Sequence, residues 1–576
     1  MRRTGAEIIW EVLVEEGVEV VFGYPGGAIM PAYDAMLRYP IRHVLVRHEQ
    51  GAAHMADGYA RASGRVGVAV ATSGPGATNL VTGIATAMLD STPMVCVTGQ
   101  VSSGFLGTDA FQETDITGVT LPITKHNYLI TRAADIAPAL REAFYIARSG
   151  RPGPVLVDIT KDAQQAEADY APPPGEVRLP GYRPVLPLLP TDLARAAAMI
   201  DGAERPIIFA GQGIIQSGAS ALLRELAERT GAPVAETLLG LGGFPATHPL
   251  SLGMMGMHGE AWVNHAIQEA DLILALGMRF DDRVTGKLQS YAPQAKKIHV
   301  EVDPSEVNKN VKVDLALVAD VRQVIEQLLP QVRRSDRGVW QGRIAALKGS
   351  SAVRDIQYLP PGDKLYAAHV INDLWRLTKG EALVVTDVGQ HQMWEAQYYK
   401  HDHPRGLITS GGLGTMGFAL PAAIGARFAR PDAEIWVIVG DGGFQMTACE
   451  LSTAAQERLK LNIAVINNGY LGMVRQWQEF FYDRRYAATP LLGPDFVKLA
   501  EAHRAKGLLV TRREQIAAAV AEARDTPGVT VVEFRVEKED SVYPMVPSGA
   551  GLHQMIRRPD APPAALSARS PEYEGK

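Results

Sequence analysis

Two polar turns in the last third of the chain carry the residues best suited to chemistry. Gly440-Asp441-Gly442 follows an apolar run at 435–439, and about two dozen residues later Asn467-Asn468-Gly469-Tyr470 follows a second apolar run at 463–466. Such runs predict buried parallel strands, joined here by a crossover helix at 445–460. The two turns would then lie side by side at the carboxyl edge of an open α/β sheet. Carboxylate, amide and backbone carbonyl oxygens suit Mg²⁺ held against phosphates, which predicts a metal site. The predicted ligands are Asp441, Asn468 and Tyr470.

Composition limits the class of protein. At 576 residues the chain is too long for one core, and it contains 46% hydrophobic and 21% charged residues. A net charge of −6 gives no sign of a nucleic-acid or membrane-surface partner. No apolar run is long enough to span a membrane. The predicted amphipathic helix at 6–16 begins so early that no signal peptide precedes it, which predicts a cytoplasmic protein. Cys96 and Cys449 lie far apart, and we expect both to be buried free thiols.

Strand and helix patterns alternate through most of the chain and predict an α/β protein with three doubly wound parallel sheets. Pro-rich or charged stretches at about 170–190 and 331–362 are typical of linkers. We therefore predict domains at 1–165, 190–330 and 365–550, followed by a C-terminal tail at 551–576.

The first predicted domain places small or acidic residues at the ends of its strands. Strands predicted at 18–22, 44–46 and 66–70 lead into Tyr24-Pro25-Gly26, into Glu49 and into the turn at 72–79. Ligands of open α/β sheets bind at such strand ends. Position alone leaves two interpretations of Glu49 open, because an acid at a helix start is also stabilised by the helix dipole.

The third predicted domain has similar strand ends. Gln390 and His391 follow a strand at 382–386, and a glycine-rich turn at 411–417 contains Gly414 and Met416. Glycines here would let the backbone approach a ligand closely. On composition alone Met416 is equally compatible with a core side chain.

The second predicted domain contains a charged segment after the strand at 271–276. That segment reads GMRFDDRVTGK at 277–287, and an earlier Gly-x-Gly pair at Gly211 and Gly213 is weak evidence of dinucleotide binding. The alternative for Asp281, Asp282 and Arg283 is a surface salt-bridge cluster.

Several segments resemble one known family. The GDG and NN turns resemble the metal motif of thiamin-diphosphate enzymes, and RHEQGAAHMADGYARASG at 47–64 resembles their cofactor-activating segment. RFDDRVTGK resembles the flavin-binding segment of acetohydroxyacid (acetolactate) synthase catalytic subunits. The resemblance extends from residue 5 to about residue 555, and the chain is identified as a member of that family. It departs from plant relatives at Ser102-Ser103-Gly104, which leaves herbicide contacts open.

The resemblance implies three cofactors, thiamin diphosphate, Mg²⁺ and FAD, in pyrimidine-binding, diphosphate-binding and central FAD-binding domains. A buried Glu49 would contact the aminopyrimidine ring and help to remove the proton at C2 of the thiazolium, and Met416 would hold the cofactor's bent shape. The implied catalytic residues are Glu49, Gln112 and Lys161, and Trp477 would select the second substrate. The implied thiamin-diphosphate contacts are Tyr24, Pro25, Gly26, Glu49, Gln390, His391, Gly414, Met416, Asp441, Gly442, Gly443 and Asn468. The implied FAD contacts are Arg151, Gly211, Gly213, Thr237, Leu238, Met257, His258, Gly277, Arg279, Asp281, Arg283, Glu301, Val302, Asp320 and Val321.

The implied reaction decarboxylates pyruvate and joins its hydroxyethyl unit to a second pyruvate, giving 2-acetolactate, or to 2-ketobutyrate, giving 2-aceto-2-hydroxybutyrate. Both products feed branched-chain amino-acid synthesis. The resemblance also implies a homodimer or a dimer of dimers, in which Glu49 of one chain faces the diphosphate site of the other, and a small regulatory subunit. Pyruvate oxidase and glyoxylate carboligase are the nearest alternatives, and a non-catalytic flavoprotein that kept the fold is a third. The sequence leaves open the pyruvate to 2-ketobutyrate preference, the feedback inhibitor, the resting assembly and the role of the tail.

Overall fold

Three parallel six-stranded sheets form the framework of the protein and confirm the predicted fold class. The computed structural model describes residues 1–171, 175, 177–184, 186–351 and 363–559. Parts of both predicted linkers and residues 560–576 of the predicted tail therefore lie outside the described residues.

The N-terminal domain is built from alternating strands and helices. Its strands are β1 (Arg2–Thr4), β2 (Val20–Gly23), β3 (Arg42–Leu45), β4 (Gly67–Ala71), β5 (Met94–Gln100), β6 (His126–Ile130), β7 (Pro154–Thr160) and β8 (Glu167–Asp169). Its helices are α1 (Gly5–Glu15), α2 (Met30–Met36), α3 (Glu49–Ser63), α4 (Pro75–Asn79), α5 (Val81–Leu89), α6 (Ile116–Thr120), α7 (Ala133–Arg148) and α8 (Lys161–Gln165). The six parallel strands follow the order β3-β2-β4-β5-β7-β6, while β1 and β8 form a separate antiparallel pair.

The central sheet follows the order β11-β10-β9-β12-β13-β14. Its strands are β9 (Pro206–Ala210), β10 (Val234–Glu236), β11 (Ser251–Met254), β12 (Leu272–Leu276), β13 (Lys296–Glu301) and β14 (Leu315–Val318). Its helices are α9 (Pro190–Gly202), α10 (Gln212–Gln216), α11 (Ser220–Thr230), α12 (Ala261–Glu269), α13 (Asp282–Thr285) and α14 (Val321–Leu328). A further helix, α15 (Gly338–Ser351), occupies part of the stretch that composition predicted to be a linker.

The C-terminal sheet follows the order β16-β15-β17-β18-β20-β19. Its strands are β15 (Leu383–Thr386), β16 (Leu407–Thr409), β17 (Ile435–Gly440), β18 (Leu461–Asn467), β19 (Lys506–Val510) and β20 (Val529–Arg535). Its helices are α16 (Ala367–Thr378), α17 (Gln390–Tyr398), α18 (Ala419–Ala429), α19 (Asp441–Thr447), α20 (Leu451–Gln456), α21 (Gly472–Phe481), α22 (Phe496–Ala502) and α23 (Ile516–Asp525). The predicted single crossover helix at 445–460 is wrong, because the connection consists of α19 and α20 separated by a 3₁₀ turn at Ala448–Glu450.

Helices α3 and α18 join the first and third domains through glycine contacts. A Cβ atom on Gly58 would lie 2.0 Å from the carbonyl oxygen of Ala422, and one on Gly425 would lie 1.8 Å from that of Met55. Only glycine lets the two helix backbones approach this closely. The crossing therefore fixes the N-terminal sheet against the C-terminal sheet.

The structure also bears on the expectations about membrane spans and buried cysteines. None of the helices in the described part is long and apolar enough to cross a membrane. Cys96 is buried as expected, whereas Cys449 is exposed, so the prediction of two buried thiols is wrong for Cys449. Cys449 lies in the short 3₁₀ turn between α19 and α20, which the prediction of one continuous helix did not anticipate.

Candidate active site

The two polar turns of the C-terminal domain meet at one edge of the sheet. Strands β17 and β18 are parallel neighbours, with Gly440 paired to Ile466, so Asp441 and Asn468 follow adjacent strand ends. The Asp441 side chain is 3% exposed, and its Oδ2 has no hydrogen-bond partner. Burial raises the pKa of this carboxyl to about 7, against the effect of backbone amides that include that of Gly469. A buried, unpartnered carboxylate oxygen is costly unless a cation or donor meets it.

The donor set around Asp441 fits Mg²⁺. It combines a carboxylate, the half-buried amide of Asn468 and a backbone carbonyl, all hard oxygens of the kind this ion takes. The Asn468 Oδ1 accepts the N–H of Tyr470 at 3.1 Å, which holds the turn in place. No group of three or more His, Cys, Asp or Glu side chains able to bind a metal occurs among the described residues. The predicted site would not appear as such a group, because only one of its three ligands is of those types.

Polar side chains at the start of α17 lie beside the two turns that contain Asp441 and Asn468. Gln390 accepts the Nδ2 amide of Asn468 at 3.2 Å and donates to the Oε1 of Gln476 at 2.9 Å. His391 is buried, its Nε2 has no partner, and burial lowers its pKa to about 3, so the ring is neutral near pH 7. The start of α17 fits an anionic group such as a diphosphate, because helix N-termini favour negative charge.

Two buried aspartates hold the glycine-rich turn at 411–417. Asp90 of the first domain accepts the N–H of Gly411 at 3.2 Å and that of Gly412 at 2.6 Å. Asp387 accepts the N–H of Gly417 at 2.9 Å and that of Phe418 at 3.1 Å, at the start of α18. A Cβ on Gly443 would lie 2.0 Å from Asp387 Oδ2, so the segment that begins with Asp441 and the glycine turn pack directly together. Met416 reaches the same place, because its Cε would lie 3.5 Å from a Cβ on Gly442. Met416, which the resemblance expects to hold the cofactor's bent shape, therefore lies against the turn at 440–442.

The N-terminal sheet gathers a second set of predicted residues at its own carboxyl edge. Glu49 is the first residue of α3, and its Oε2 accepts the Nδ2 amide of Asn79 at 2.9 Å. A Cβ on Gly26 would lie 2.4 Å from Thr72, which brings the turn after β2 against the turn after β4. Tyr24 is 41% exposed beside them. Glu49 is half-buried within the single chain, and its burial in an assembly of two chains stays a prediction.

The other two predicted catalytic residues lie at the same edge. Gln112 has a left-handed φ of 60°, and its backbone oxygen would lie 2.8 Å from a Cβ on Gly74, next to the Thr72 turn. Lys161 begins α8 directly after β7 and is half-buried. Both residues thus lie at the carboxyl edge of the N-terminal sheet, as Glu49 does.

A cavity of about 680 Å³ opens between the central domain and the other two. Its walls contain all of the predicted FAD contacts except Gly211, which packs against the backbone of Gly277 instead. One end is closed by the C-terminal residues Gly389, Gly414, Met473 and Trp477. A cleft of this size at the carboxyl ends of parallel strands suits a large organic cofactor.

Charged groups of both signs line this cavity. Arg151 enters from the first domain and is held by Asp303 at 3.3 Å and by Glu306 at 3.0 Å. Burial raises the pKa of Glu301 to about 7, and burial lowers the pKa of His258 to about 4. The pairs within 277–287 are loose, 3.8 Å between Arg279 and Asp281, so a surface salt-bridge cluster is a poor description of this segment.

The central cavity receives neither group of predicted catalytic and metal-binding residues. Its walls include Gly389, Gly414 and Trp477, but not Asp441, Asn468 or the predicted residues around Glu49. The sequence did not predict that Asp387 and Asp90 hold the glycine turn. Val388, Gln392 and Met473 also line the cavity without having been predicted. The sequence pattern did indicate Asp387, because this residue follows a strand shortly before Gln390. Asp90 had no such local indication, since it lies more than 300 residues from Gly412 in sequence.

Comparison with known families assigns all three domains. Residues 3–119 match the N-terminal TPP binding domain of thiamine pyrophosphate enzymes, residues 193–328 match the central domain, and residues 387–534 match the C-terminal TPP binding domain. The three matches follow the three sheets in the same order.

Individual relatives are similar over nearly the whole chain. An acetolactate synthase large subunit of Corynebacterium glutamicum is 49% identical over 95% of this chain and 89% of its own length. A large subunit of that name from Parasynechococcus marenigrum is 46% identical over 98% of this chain and 92% of its own. The acetolactate synthase isozyme 2 large subunit of Escherichia coli K12 is 45% identical over 96% of this chain and 99% of its own.

Proposed function

Since the chain belongs to the thiamine pyrophosphate enzymes and, within them, to the acetolactate synthase large subunits, we propose that it forms 2-acetolactate from two molecules of pyruvate. With 2-ketobutyrate as acceptor it would form 2-aceto-2-hydroxybutyrate. The observation that carries the proposal is the unpartnered Oδ2 of buried Asp441 beside Asn468, in a chain whose two outer domains match TPP binding domains.

Asp441, Asn468 and the carbonyl of Tyr470 would hold Mg²⁺ against the cofactor's diphosphate. Gln390 would keep Asn468 oriented through their 3.2 Å hydrogen bond, and the buried ring of His391 would lie against the diphosphate. Thiamin diphosphate, when bound, supplies the carbon nucleophile that takes up the acyl unit of pyruvate as CO₂ leaves. The protein's part is to orient that group and to exclude water from it.

Glu49 would exchange a proton with a ring nitrogen of the aminopyrimidine. A carboxyl group at this position contributes as a general acid and base. Gln112 and Lys161 follow neighbouring strand ends, where they would contact substrate or cofactor. Among the described residues, the Glu49 side chain is hydrogen-bonded to Asn79 of its own domain and to no residue of the C-terminal domain. This supports an active site completed by a second chain, and hence a homodimer or dimer of dimers.

The central cavity would hold FAD. Support comes from its size, from the glycine turns at Gly213 and Gly277, and from the arginines Arg151, Arg279 and Arg283 along its walls. The reaction has no net oxidation, so the flavin would be structural. Trp477 lies at the end of this cavity near Gly414, where an indole ring would contact the second 2-ketoacid.

A small regulatory subunit is the proposed protein partner, because the similar proteins are large subunits. The cytoplasmic location stays a prediction from the sequence.

A single assay set tests the proposed function. Purified protein would be incubated with pyruvate while thiamin diphosphate, Mg²⁺ or FAD is left out in turn, and acetolactate and peroxide would be measured. We expect acetolactate only when thiamin diphosphate and Mg²⁺ are present, and no peroxide. Peroxide in step with pyruvate consumption would instead support a pyruvate oxidase, and no turnover under any condition would support a non-catalytic flavoprotein.

A further inference from the structure

The carboxylate of Glu450 binds the turn that precedes Glu49. The N–H of Arg47 donates to Glu450 Oε1 at 3.0 Å and to Oε2 at 3.2 Å, and the N–H of His48 donates to Oε1 at 3.1 Å. Glu450 is 0% exposed, and the Thr453 hydroxyl donates to its Oε2 at 2.6 Å. A wholly buried carboxylate is thus satisfied mainly by the backbone of a segment 400 residues away in sequence.

The position of these two amides matters because Glu49 follows them directly. Arg47 and His48 connect edge strand β3 to α3, and Glu49 is the first residue of that helix. No strand pairing is available to these N–H groups beyond the end of β3. The His48 ring caps α3 by accepting the N–H of Gln50 at 3.1 Å, but it does not tie the turn to the C-terminal domain. Without Glu450 the turn would lose its backbone contacts to that domain, and the Glu49 side chain would move with it.

Gly51 provides an independent sign that the contact is built into the sequence. Glycine inside a helix costs about 1 kcal/mol relative to alanine. Gly51 lies in the first turn of α3, and a Cβ there would lie 2.4 Å from Glu450 Oε1. The glycine is explained by the close approach of this carboxylate.

Glu450 also stands at the far end of the segment that begins with Asp441. That segment runs through α19 and the 3₁₀ turn Ala448–Glu450. Resting on the proposed function, we infer that Glu450 is a positioning residue. It holds Glu49 at the start of α3 from the segment that follows Asp441. Glu450 would touch neither cofactor nor substrate and would act through Glu49.

The test compares proton exchange at C2 of bound thiamin diphosphate in Glu450→Gln and wild-type protein. Displacing a catalytic group by about 1 Å can cost 10²-fold, so we expect exchange and turnover to fall by roughly 10- to 100-fold. The affinity for Mg²⁺ and thiamin diphosphate should stay within about twofold, because the metal ligands are untouched. Thr453→Val is the matched control. This variant loses the hydroxyl donor but keeps the contacts from the N–H groups of Arg47 and His48. Its bound cofactor should exchange the C2 proton at nearly the wild-type rate.

A double variant separates positioning from a general loss of structure. In the Glu49→Gln background, adding Glu450→Gln should slow exchange no further, because the group through which it acts is already absent. A further decrease equal to that of the single variant would overturn the inference, as would wild-type exchange in Glu450→Gln alone. If Glu450→Gln does not fold, Gly51→Ala displaces the same carboxylate while favouring the helix, and it should show the same slow exchange.

The outcomes also distinguish this inference from the proposed function. Wild-type exchange in Glu49→Gln would reject the assignment of Glu49 itself. Slow exchange in Glu49→Gln together with normal exchange in Glu450→Gln and Gly51→Ala would reject only the role of Glu450.

Discussion

Arg61 on α3 donates to the Oδ2 of Asp90 at 2.7 Å, and Asp90 in turn accepts the N–H groups of Gly411 and Gly412 at 3.2 and 2.6 Å. Arg61 also donates to Asp57 at 2.6 Å and to the carbonyl of Thr409 at 2.7 Å. The helix that begins with Glu49 therefore reaches, through one buried guanidinium, the glycine turn that contains Gly414 and Met416. The first and third domains are therefore held in a fixed relation.

Arg61→Ala should strongly destabilise the protein. Arg61 is 8% exposed, and both carboxylates are 0% exposed, so the change leaves two buried charges without their partner. Breaking a buried pair in this way costs about 3–5 kcal/mol. Denaturant unfolding would measure the loss. Arg132→Ala, which removes an exposed pair with Asp135, is the control and should cost less than about 1 kcal/mol. Equal losses in the two variants would contradict this account.

Asp441→Ala should abolish retention of thiamin diphosphate. The variant removes one metal ligand and leaves the diphosphate charge poorly compensated. Titration with thiamin diphosphate and Mg²⁺, followed by tryptophan fluorescence, measures the affinity. The flavin content serves as the control and should not change, because Asp441 does not line the central cavity. Wild-type affinity in this titration would remove Asp441 from the metal site.

Trp477→Leu should lower the preference for 2-ketobutyrate over pyruvate as acceptor while acetolactate formation survives. An indole wall can contact the extra methyl group of 2-ketobutyrate, and one methylene in an apolar pocket is worth about 1–3 kcal/mol, or roughly 10- to 200-fold. A competition assay that measures both products at mixed substrate would report the ratio. Phe481→Leu is a useful comparison, because its ring lies 5.3 Å from that of Trp477 and does not line the cavity. An unchanged product ratio in Trp477→Leu would remove this residue from the specificity site.

Glu236→Gln should stabilise the protein at alkaline pH. Glu236 is 0% exposed, one oxygen accepts the N–H of Phe244 at 3.0 Å, and burial raises the pKa of its carboxyl from 4.5 to about 8. Between these two values the folded protein holds a proton that the unfolded chain releases. The contribution of Glu236 to the free energy of unfolding therefore falls as the pH rises from about 4.5 to 8, and then levels off. Melting temperatures near pH 5 and near pH 8 would show a larger gain for the variant at the higher pH. The same shift at both pH values would contradict the raised pKa.

Much of the fold could be predicted because strands and turns leave local patterns. The apolar runs before Asp441 and Asn467 identify parallel neighbours, and that pairing places their turns together without knowledge of the rest of the chain. The FAD contacts depended on resemblance, since residues such as Thr237 and Asp320 lie on separate strand ends with no local pattern to group them. Their shared cavity, which excludes Gly211, became visible only in three dimensions.

Two of the acids that hold the site's turns, Glu450 and Asp90, could not be predicted. Glu450 binds Arg47 and His48, and Asp90 binds Gly411 and Gly412, across 300 to 400 residues of sequence. Each of these acids lies in a helical or turn segment where an acid has an ordinary local explanation. Gly51 was the one available sign, because glycine in a helix needs a reason, but sequence alone does not say which atom requires the space.

Proton exchange at C2 of thiamin diphosphate, followed by NMR, tests the central claim most directly, because it reports on Glu49 before any substrate binds. Wild-type protein with Mg²⁺ should accelerate the exchange over free cofactor. Glu49→Gln should bind the cofactor and FAD normally and yet lose roughly 10²–10⁴-fold of that acceleration, which is the usual worth of a positioned acid–base group. Acceleration that is equal in wild-type and Glu49→Gln protein would contradict the account and leave Glu49 as an acid that merely stabilises the start of α3.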